Sequence, residues 1–156
     1  LAVLKTLPDS GVVLRTAWLY SKTGSNFVKT MVKLMQERDE LSVVSDQVGT
    51  PTWANSLATA VWAFAGAPQL SGVFHWTDGG QANWHDFALA IQQEAYALGL
   101  LDKMIPVRAI TSADYPTAAA RPKYSVLDCA VSWDVLDLRP ADWRVNLKQM
   151  LEELRL

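Results

Sequence analysis

Four short runs of apolar and β-branched residues alternate along this chain with segments of helical periodicity. The runs cover residues 11–16, 41–45, 73–77 and 105–110. The first run, GVVLRT, follows a turn-forming Pro-Asp-Ser segment and is almost continuously apolar, as is typical of a parallel strand covered on both faces. Strands that alternate with helices predict an α/β fold built on a parallel sheet.

The segments between these runs place apolar residues at helical spacing. The first helix is predicted to begin at Ser25 or Asn26 as its N-cap, with charged residues such as Arg38 on its solvated side. A later helix is predicted over residues 84–98, with Asn83 as its N-cap. Both starts carry an Asn side chain, which can accept a hydrogen bond from a free amide of the first helical turn.

The helix that follows the second strand is rich in apolar residues. Thr52 is predicted to be its N-cap, and Val61 is predicted to lie on its buried side.

We also assign Trp62, Trp133 and Trp143 to the core, because Trp side chains on the apolar stripe of a helix are usually packed.

The stretch from residue 111 to 122 has no periodicity and contains Tyr-Pro and Arg-Pro pairs. Such a length without regular structure is unusual in a compact domain and indicates a functional loop. Helices are predicted near residues 129–136 and 140–154. Because the chain shows no repeat or linker, residues 1–156 are predicted to form a single unit.

The composition argues against several classes of function. Half of the residues are hydrophobic and the net charge is −2, so a packed core is expected and a nucleic-acid partner is not. No apolar run approaches the ~18 residues that a membrane span needs, so no membrane partner is expected. Cys129 is the only cysteine, which is compatible with the reducing cytoplasm that we predict as the compartment.

Several common catalytic signatures are missing from this sequence. There is no GxGxxG turn for a dinucleotide, and no Tyr has a Lys four residues later. The two histidines, His75 and His85, have no metal-ligand spacing, so no metal site is predicted. Cys129 is interpreted as a buried, inert thiol. No catalytic residue is therefore assigned.

Two loops place polar and aromatic residues just after predicted strands, where open α/β sheets bind ligands. Residues 15–20 read RTAWLY and lead to a predicted helix N-terminus. Residues 46–52 read DQVGTPT and again connect a strand to a helix. Each loop alone is compatible with an ordinary connection, so neither assigns a function by itself.

Taken in order, the segments RTAWLY, NFVKTM, DQVGTPTWANSLA and ARPKYSVLD resemble the C-terminal half of the dTDP-4-dehydrorhamnose reductases. These enzymes are extended short-chain dehydrogenase/reductases. The resemblance covers residues 11–156. It implies an α/β fold that combines the C-terminal part of a Rossmann-like parallel sheet with the small α/β domain that binds the nucleotide sugar. The family reduces the C4 ketone of dTDP-4-dehydro-L-rhamnose with NADPH or NADH.

The resemblance also implies contacts with two ligands. Trp18 would lie against the sugar, Asn26 and Gln47 fall in motifs near the nucleotide sugar, and Arg121 would neutralise the diphosphate through charge-assisted bonds. The residues on the nicotinamide side of the cleft would be Arg15, Thr16 and Ala17.

The sequence departs from the family pattern because the glycine-rich turn and the Tyr-x-x-x-Lys pair are missing. The family uses NADP or NAD, but we expect this chain alone to bind no cofactor and to be inactive. Self-association, or a second chain that supplies the N-terminal half, is an expected partnership. Two alternatives stay open, namely a regulatory or assembly subunit without catalysis and a fragment of another nucleotide-sugar reductase or epimerase.

Overall fold

The computed structural model describes residues 2–117, 119 and 121–155. The helices in this part of the chain are α1 (Ala2–Thr6), α2 (Phe27–Glu37), α3 (Ala54–Ala65), α4 (Trp84–Ala97), α5 (Ala130–Leu136) and α6 (Trp143–Leu154). The strands are β1 (Val12–Arg15), β2 (Leu19–Tyr20), β3 (Leu41–Val44), β4 (Val48–Gly49), β5 (Thr52–Trp53), β6 (Gly72–His75), β7 (Ala82–Asn83) and β8 (Val107–Ile110). In the described residues, no helix is both long enough and apolar enough to cross a bilayer.

The strands pair mostly in parallel. β1 pairs with β6, β2 with β5 and β3 with β8, all in parallel, whereas β4 pairs with β7 in the antiparallel direction. Each parallel pair joins strands that are distant in sequence, and a helix lies between them in the chain, as parallel pairing requires. The predicted α/β class with parallel strands is confirmed.

The main core lies around α4, which contacts α2, α6, β3 and β8. The side chains that are almost completely buried in it include Val28 and Met35 of α2, Phe87 and Ile91 of α4, and Trp143 of α6. The assignment of Trp143 to the core is confirmed. Burial of such side chains stabilises a fold by roughly 1.5–3 kcal/mol each.

A second packing centre joins α3 to the pair β1–β6. The rings of Phe64 and Phe74 lie 4.7 Å apart there, and Ala60 is fully buried. The predictions for Val61 and Trp62 are wrong, because both are exposed, Trp62 by 77%. Almost all of α3 is apolar, so its sequence does not indicate which side faces β6.

The two Asn caps are confirmed. Asn26 Oδ1 accepts a hydrogen bond from the Lys29 amide at 3.2 Å, and Asn83 Oδ1 accepts one from the Asp86 amide at 2.8 Å. The prediction that Thr52 caps α3 is wrong, because Thr52 belongs to β5 and its hydroxyl donates to the Thr50 carbonyl.

The loop predicted over residues 111–122 includes a short 3₁₀ turn at Ser112–Asp114. The Thr111 amide and hydroxyl both donate to Asp114 Oδ2, at 2.9 and 2.8 Å. Residues 118 and 120 of this loop lie outside the described residues. The assignment of residues 1–156 to a single unit stays a prediction.

Candidate functional site

Trp18 occupies the short connection between β1 and β2. Its φ of 47° lies in the left-handed region, which is unusual for a side chain as large as indole. Its carbonyl accepts a hydrogen bond from the Thr52 amide at 3.1 Å, which ties the connection to β5. The indole stacks on Trp84, with ring centroids 3.5 Å apart and an angle of 9° between the planes.

Gly49 covers the other face of the Trp18 indole. A Cβ added at Gly49 would lie 2.5 Å from Cε2 of Trp18 and 2.7 Å from each of Nε1 and Cζ2, which are bonded to it. Nearly equal distances to three adjacent ring atoms place that position above the ring face. If this Cβ lay between the stacked rings, which are 3.5 Å apart, its nearest atoms would belong to Trp84. Its three nearest atoms all belong to Trp18, so Gly49 lies on the other side of the Trp18 indole. Both faces of Trp18 are therefore covered.

A groove of about 740 Å³ runs between α2, β3 and the loop that follows β8. Its walls include apolar residues of α2 and β3, the ring of Trp84, and the polar side chains of Gln47 and Arg121. The structure thus brings together two of the four predicted substrate residues. Trp18 is separated from this groove by Trp84, on which it stacks.

Two arginines and two acidic residues line the groove. Arg38 and Arg121 both line it, as do Glu40 and Asp114. Glu40 pairs with Arg108 at 2.7 Å, and Asp114 accepts two hydrogen bonds from its own turn, which hold the pKa of its carboxyl below the usual value. Within the described part of the chain, neither Arg38 nor Arg121 forms an ion pair. The two guanidinium groups are therefore available to an anion.

Backbone pairing anchors the segment that follows Arg121 to β4. The Val48 amide donates to the Lys123 carbonyl at 2.8 Å, and the Ser125 amide donates to the Val48 carbonyl at 2.9 Å. Residues 123–125 therefore lie beside β4, and Arg121, two residues earlier, lines the groove although it is exposed.

Asp46 links the loop after β3 to the loop after β8. Its Oδ1 accepts hydrogen bonds from the Ser112 amide and hydroxyl, at 2.8 and 2.7 Å. These bonds, that of the hydroxyl first, lower the pKa of Asp46 below its ordinary value, so the carboxylate stays ionised near neutral pH. Gln47 Nε2 donates to the same Ser112 hydroxyl at 2.9 Å. This network fixes the position of Gln47 at one end of the groove.

Comparison with protein families decides where the chain belongs. The family model of the RmlD substrate binding domain matches residues 1–156. The chain belongs to the RmlD substrate-binding domain family.

Similar proteins agree with this assignment. The dTDP-4-dehydrorhamnose reductase of Aggregatibacter actinomycetemcomitans is 40% identical over 153 residues, which cover 95% of this chain and 52% of that protein. The crystal structure of a dTDP-4-dehydrorhamnose reductase from Bacillus anthracis in complex with NADP matches with a TM-score of 0.81 at 34% identity, over 91% of this chain and 48% of that one. An orthologue from Clostridium acetobutylicum matches with a TM-score of 0.82 at 38% identity, over 93% and 49% of the two chains. The chain spans about half the length of the curated relatives it matches.

In this RmlD-type domain the Asn26 amide is engaged locally. Its Nδ2 donates to the Ser21 carbonyl at 2.6 Å, while its Oδ1 caps α2 through the Lys29 amide. Asn26 is not among the residues that line the groove. Its contact with a substrate stays a prediction, and the structure gives its side chain a role in shaping the loop before α2.

Arg15, Thr16 and Ala17 lie at the carboxyl end of β1, away from the lining of the groove. Arg15 is exposed, and its carbonyl accepts a hydrogen bond from the Trp76 amide at 2.9 Å. The hydroxyl of Thr16 is buried and has no hydrogen-bond partner in the described part of the chain. A cofactor contact by these three residues stays a prediction.

The RmlD-type groove also contains residues that the sequence did not single out. The sequence predicts only that Trp84 begins a helix and that Arg38 lies on the solvated side of another. Both line the groove together with Tyr115. The cap at Asn83 predicts that Trp84 begins a helix. It does not predict the groove, because the loop packed against that helix comes from a distant part of the chain.

Proposed function

We propose that this chain is the part of a dTDP-4-dehydrorhamnose reductase that binds the nucleotide sugar, dTDP-4-dehydro-L-rhamnose. The observation that carries the proposal is the groove lined by aromatic side chains, by the amide of Gln47, and by Arg38 and Arg121, which form no ion pair among the described residues. Guanidinium groups bind phosphate oxygens through charge-assisted, often bidentate bonds. The match to the RmlD family and the names of the relatives support the same ligand class.

The proposed reaction also needs a nicotinamide cofactor, NADP or NAD, which supplies hydride when it is bound. The residues present fit one side of such a site, because the buried Thr16 hydroxyl can still form a hydrogen bond and Arg15 next to it is exposed. The sequence contains no glycine-rich turn to hold the pyrophosphate of a dinucleotide. We therefore propose that the chain alone binds no cofactor and does not reduce the substrate.

A cytoplasmic location is part of the same proposal and is supported by the single, buried and unpaired Cys129.

Titration with dTDP, followed by NMR, tests the proposed function. For the 156-residue chain we expect a dissociation constant on the order of 1 mM, because ordering the loop opposes binding. Arg121→Ala and Arg38→Ala should each weaken binding about fivefold, since each removes a charge-assisted contact.

Arg139→Ala is the matched control. Arg139 pairs with Asp134 at 2.6 Å on the surface and is not among the residues that line the groove, so its loss should leave the dTDP affinity unchanged. The same preparation, mixed with NADPH and dTDP-4-dehydro-L-rhamnose, should oxidise no NADPH. Equal affinities in all the variants would remove the two arginines from the site. If the chain binds a protein partner but not dTDP, the alternative of a regulatory or assembly subunit without catalysis would replace this proposal.

A further inference from the structure

Ser112 joins the side chains of Asp46 and Gln47. Its hydroxyl and its amide donate to Asp46 Oδ1, at 2.7 and 2.8 Å. The same hydroxyl lies 2.9 Å from Nε2 of Gln47. Gln47 lines the groove, whereas Asp46 and Ser112 do not. Any effect of these two residues on a ligand in the groove therefore passes through the amide of Gln47.

The charge of Asp46 fixes the direction of these hydrogen bonds. An ionised carboxylate only accepts hydrogen bonds, and a serine hydroxyl has one proton to donate. Because the Asp46 carboxylate is ionised near neutral pH, the proton of Ser112 goes to Asp46 and the hydroxyl oxygen is left to accept. The Gln47 amide must then turn its Nε2 towards Ser112. In the reversed amide, two oxygens with no proton between them would face each other.

The carbonyl oxygen of Gln47, Oε1, is therefore the amide atom left for a ligand. In the part of the chain that the structure describes, this oxygen accepts no hydrogen bond. We infer that Ser112, held by Asp46, is a positioning residue that keeps Gln47 Oε1 available to the groove, so that the groove selects a ligand that donates a hydrogen bond there. The inference rests on the proposed function and adds to it a preference for a donor over an acceptor.

Two analogues of dTDP test this preference, because the nucleoside of dTDP has only two donors. N3-methylthymidine diphosphate lacks the N–H of the base, and 3′-deoxythymidine diphosphate lacks the hydroxyl of the sugar. In NMR titrations the wild type should bind one analogue about fivefold more weakly than dTDP, as expected for the loss of one hydrogen bond. The weakened analogue identifies the donor.

Substitutions at Ser112 and Asp46 then test the positioning role. Ser112→Ala releases the Gln47 amide, so it should reduce the ratio between the two affinities, for dTDP and for the weakened analogue, to about twofold or less. Asp46→Ala should reduce this ratio in the same way, because the Ser112 proton is then free to reach Oε1. Ser112→Thr keeps a hydroxyl and should keep the wild-type ratio, whereas a merely structural role would not make the ratio depend on that hydroxyl.

Ser125→Ala is the matched control. The Ser125 hydroxyl donates to the carbonyl of Val48, next to Gln47 in the chain, at 3.1 Å, and Ser125 does not line the groove. This variant should keep the wild-type ratio. If Ser112→Ala does not fold, Asp46→Ala decides by the same measurement.

Three results would contradict these expectations. If the wild type bound both analogues as tightly as dTDP, no donor would be selected and the inference would be overturned. If Ser112→Ala kept the wild-type ratio, even with every affinity lowered, Ser112 would have only a structural role, or an added methyl would merely clash. Either result would leave the proposed function in place. Failure of the wild type to bind dTDP would instead remove the proposed function and this inference together.

Discussion

At the scale of single residues, Gly49 illustrates how one missing atom shapes the site. Gly49 lies in β4, and the face of the Trp18 indole lies where its Cβ would be. The backbone of Trp18 in turn adopts a left-handed conformation, which for a bulky residue costs free energy that the surrounding contacts must offset. The stack from Gly49 to Trp84 is therefore sensitive to the size of residue 49.

We expect Gly49→Ala to disturb this stack. The added methyl would lie 2.5 Å from Trp18 Cε2, so the indole must move away or the strand must shift. Overpacking of this kind typically lowers the free energy of unfolding by about 1–3 kcal/mol. Urea denaturation measures the loss, and near-UV circular dichroism should show that the stacked Trp pair is altered.

Gly66→Ala provides the control for Gly49→Ala. A Cβ at Gly66 would meet its nearest neighbour, the Ala63 carbonyl oxygen, at 3.5 Å, which is an ordinary contact. Its unfolding free energy should stay within about 0.5 kcal/mol of the wild type. If both variants lost the same stability, contact with Trp18 would not be the cause.

At the scale of elements, a buried carboxylate joins strand β6 to helix α3. Asp78 follows β6, and its Oδ2 accepts a hydrogen bond at 2.9 Å from the amide of Trp53, the residue that precedes α3. Burial raises the pKa of Asp78 above its usual value. This acceptor comes from a turn 25 residues away along the chain, and α3 itself begins without a side-chain cap.

Replacement of Asp78 by alanine should destabilise the chain. The Trp53 amide would remain buried without its acceptor, which costs about 1–3 kcal/mol. Thermal or urea unfolding followed by circular dichroism measures the change. Asp102→Ala, at an exposed position, should change stability by no more than about 0.5 kcal/mol. An Asp78→Ala variant as stable as Asp102→Ala would show that the contact between β6 and α3 does not depend on this carboxyl group.

At the scale of the whole molecule, apolar side chains remain on the surface of α3 and of the neighbouring α5. Val61 and Trp62 of α3 are exposed, and so are Val131 and Val135 of α5, which contacts α3. In the described residues, β1 and β6 pair only with each other, so each leaves one edge free. Exposed apolar patches and open strand edges both favour association.

We therefore expect the chain to self-associate through this surface. In sedimentation experiments the average mass should exceed 17.2 kDa and rise with protein concentration. Trp62→Glu should shift the population towards monomer, because a charge in an apolar contact is costly to desolvate. Val145→Glu, at an exposed valine of α6, is the control and should not change the mass distribution. A wild type that sediments as a monomer at all concentrations would contradict the expectation.

Local signals in the sequence predicted much of this fold. The alternation of apolar runs and helical periodicity gave the α/β class, and the caps at Asn26 and Asn83 lie at the predicted helix starts. These features depend on hydrogen bonds and side-chain spacing within a few residues, so the sequence alone contains them. The order of four motifs was likewise enough to indicate the family to which the chain belongs.

Which of these residues meet depends on how the elements pack together. Trp62 is exposed because the side of α3 that contacts β6 is set by Ala60 and Phe64, a choice that an almost uniformly apolar helix leaves open. Trp84 lines the groove with Arg121 because hydrogen bonds between distant segments bring the Arg-Pro loop to β4. Local sequence patterns are enough to predict which elements form and which functional groups they carry. Long-range packing decided which faces are buried and which side chains share a site, because those outcomes depend on contacts between residues far apart in the chain.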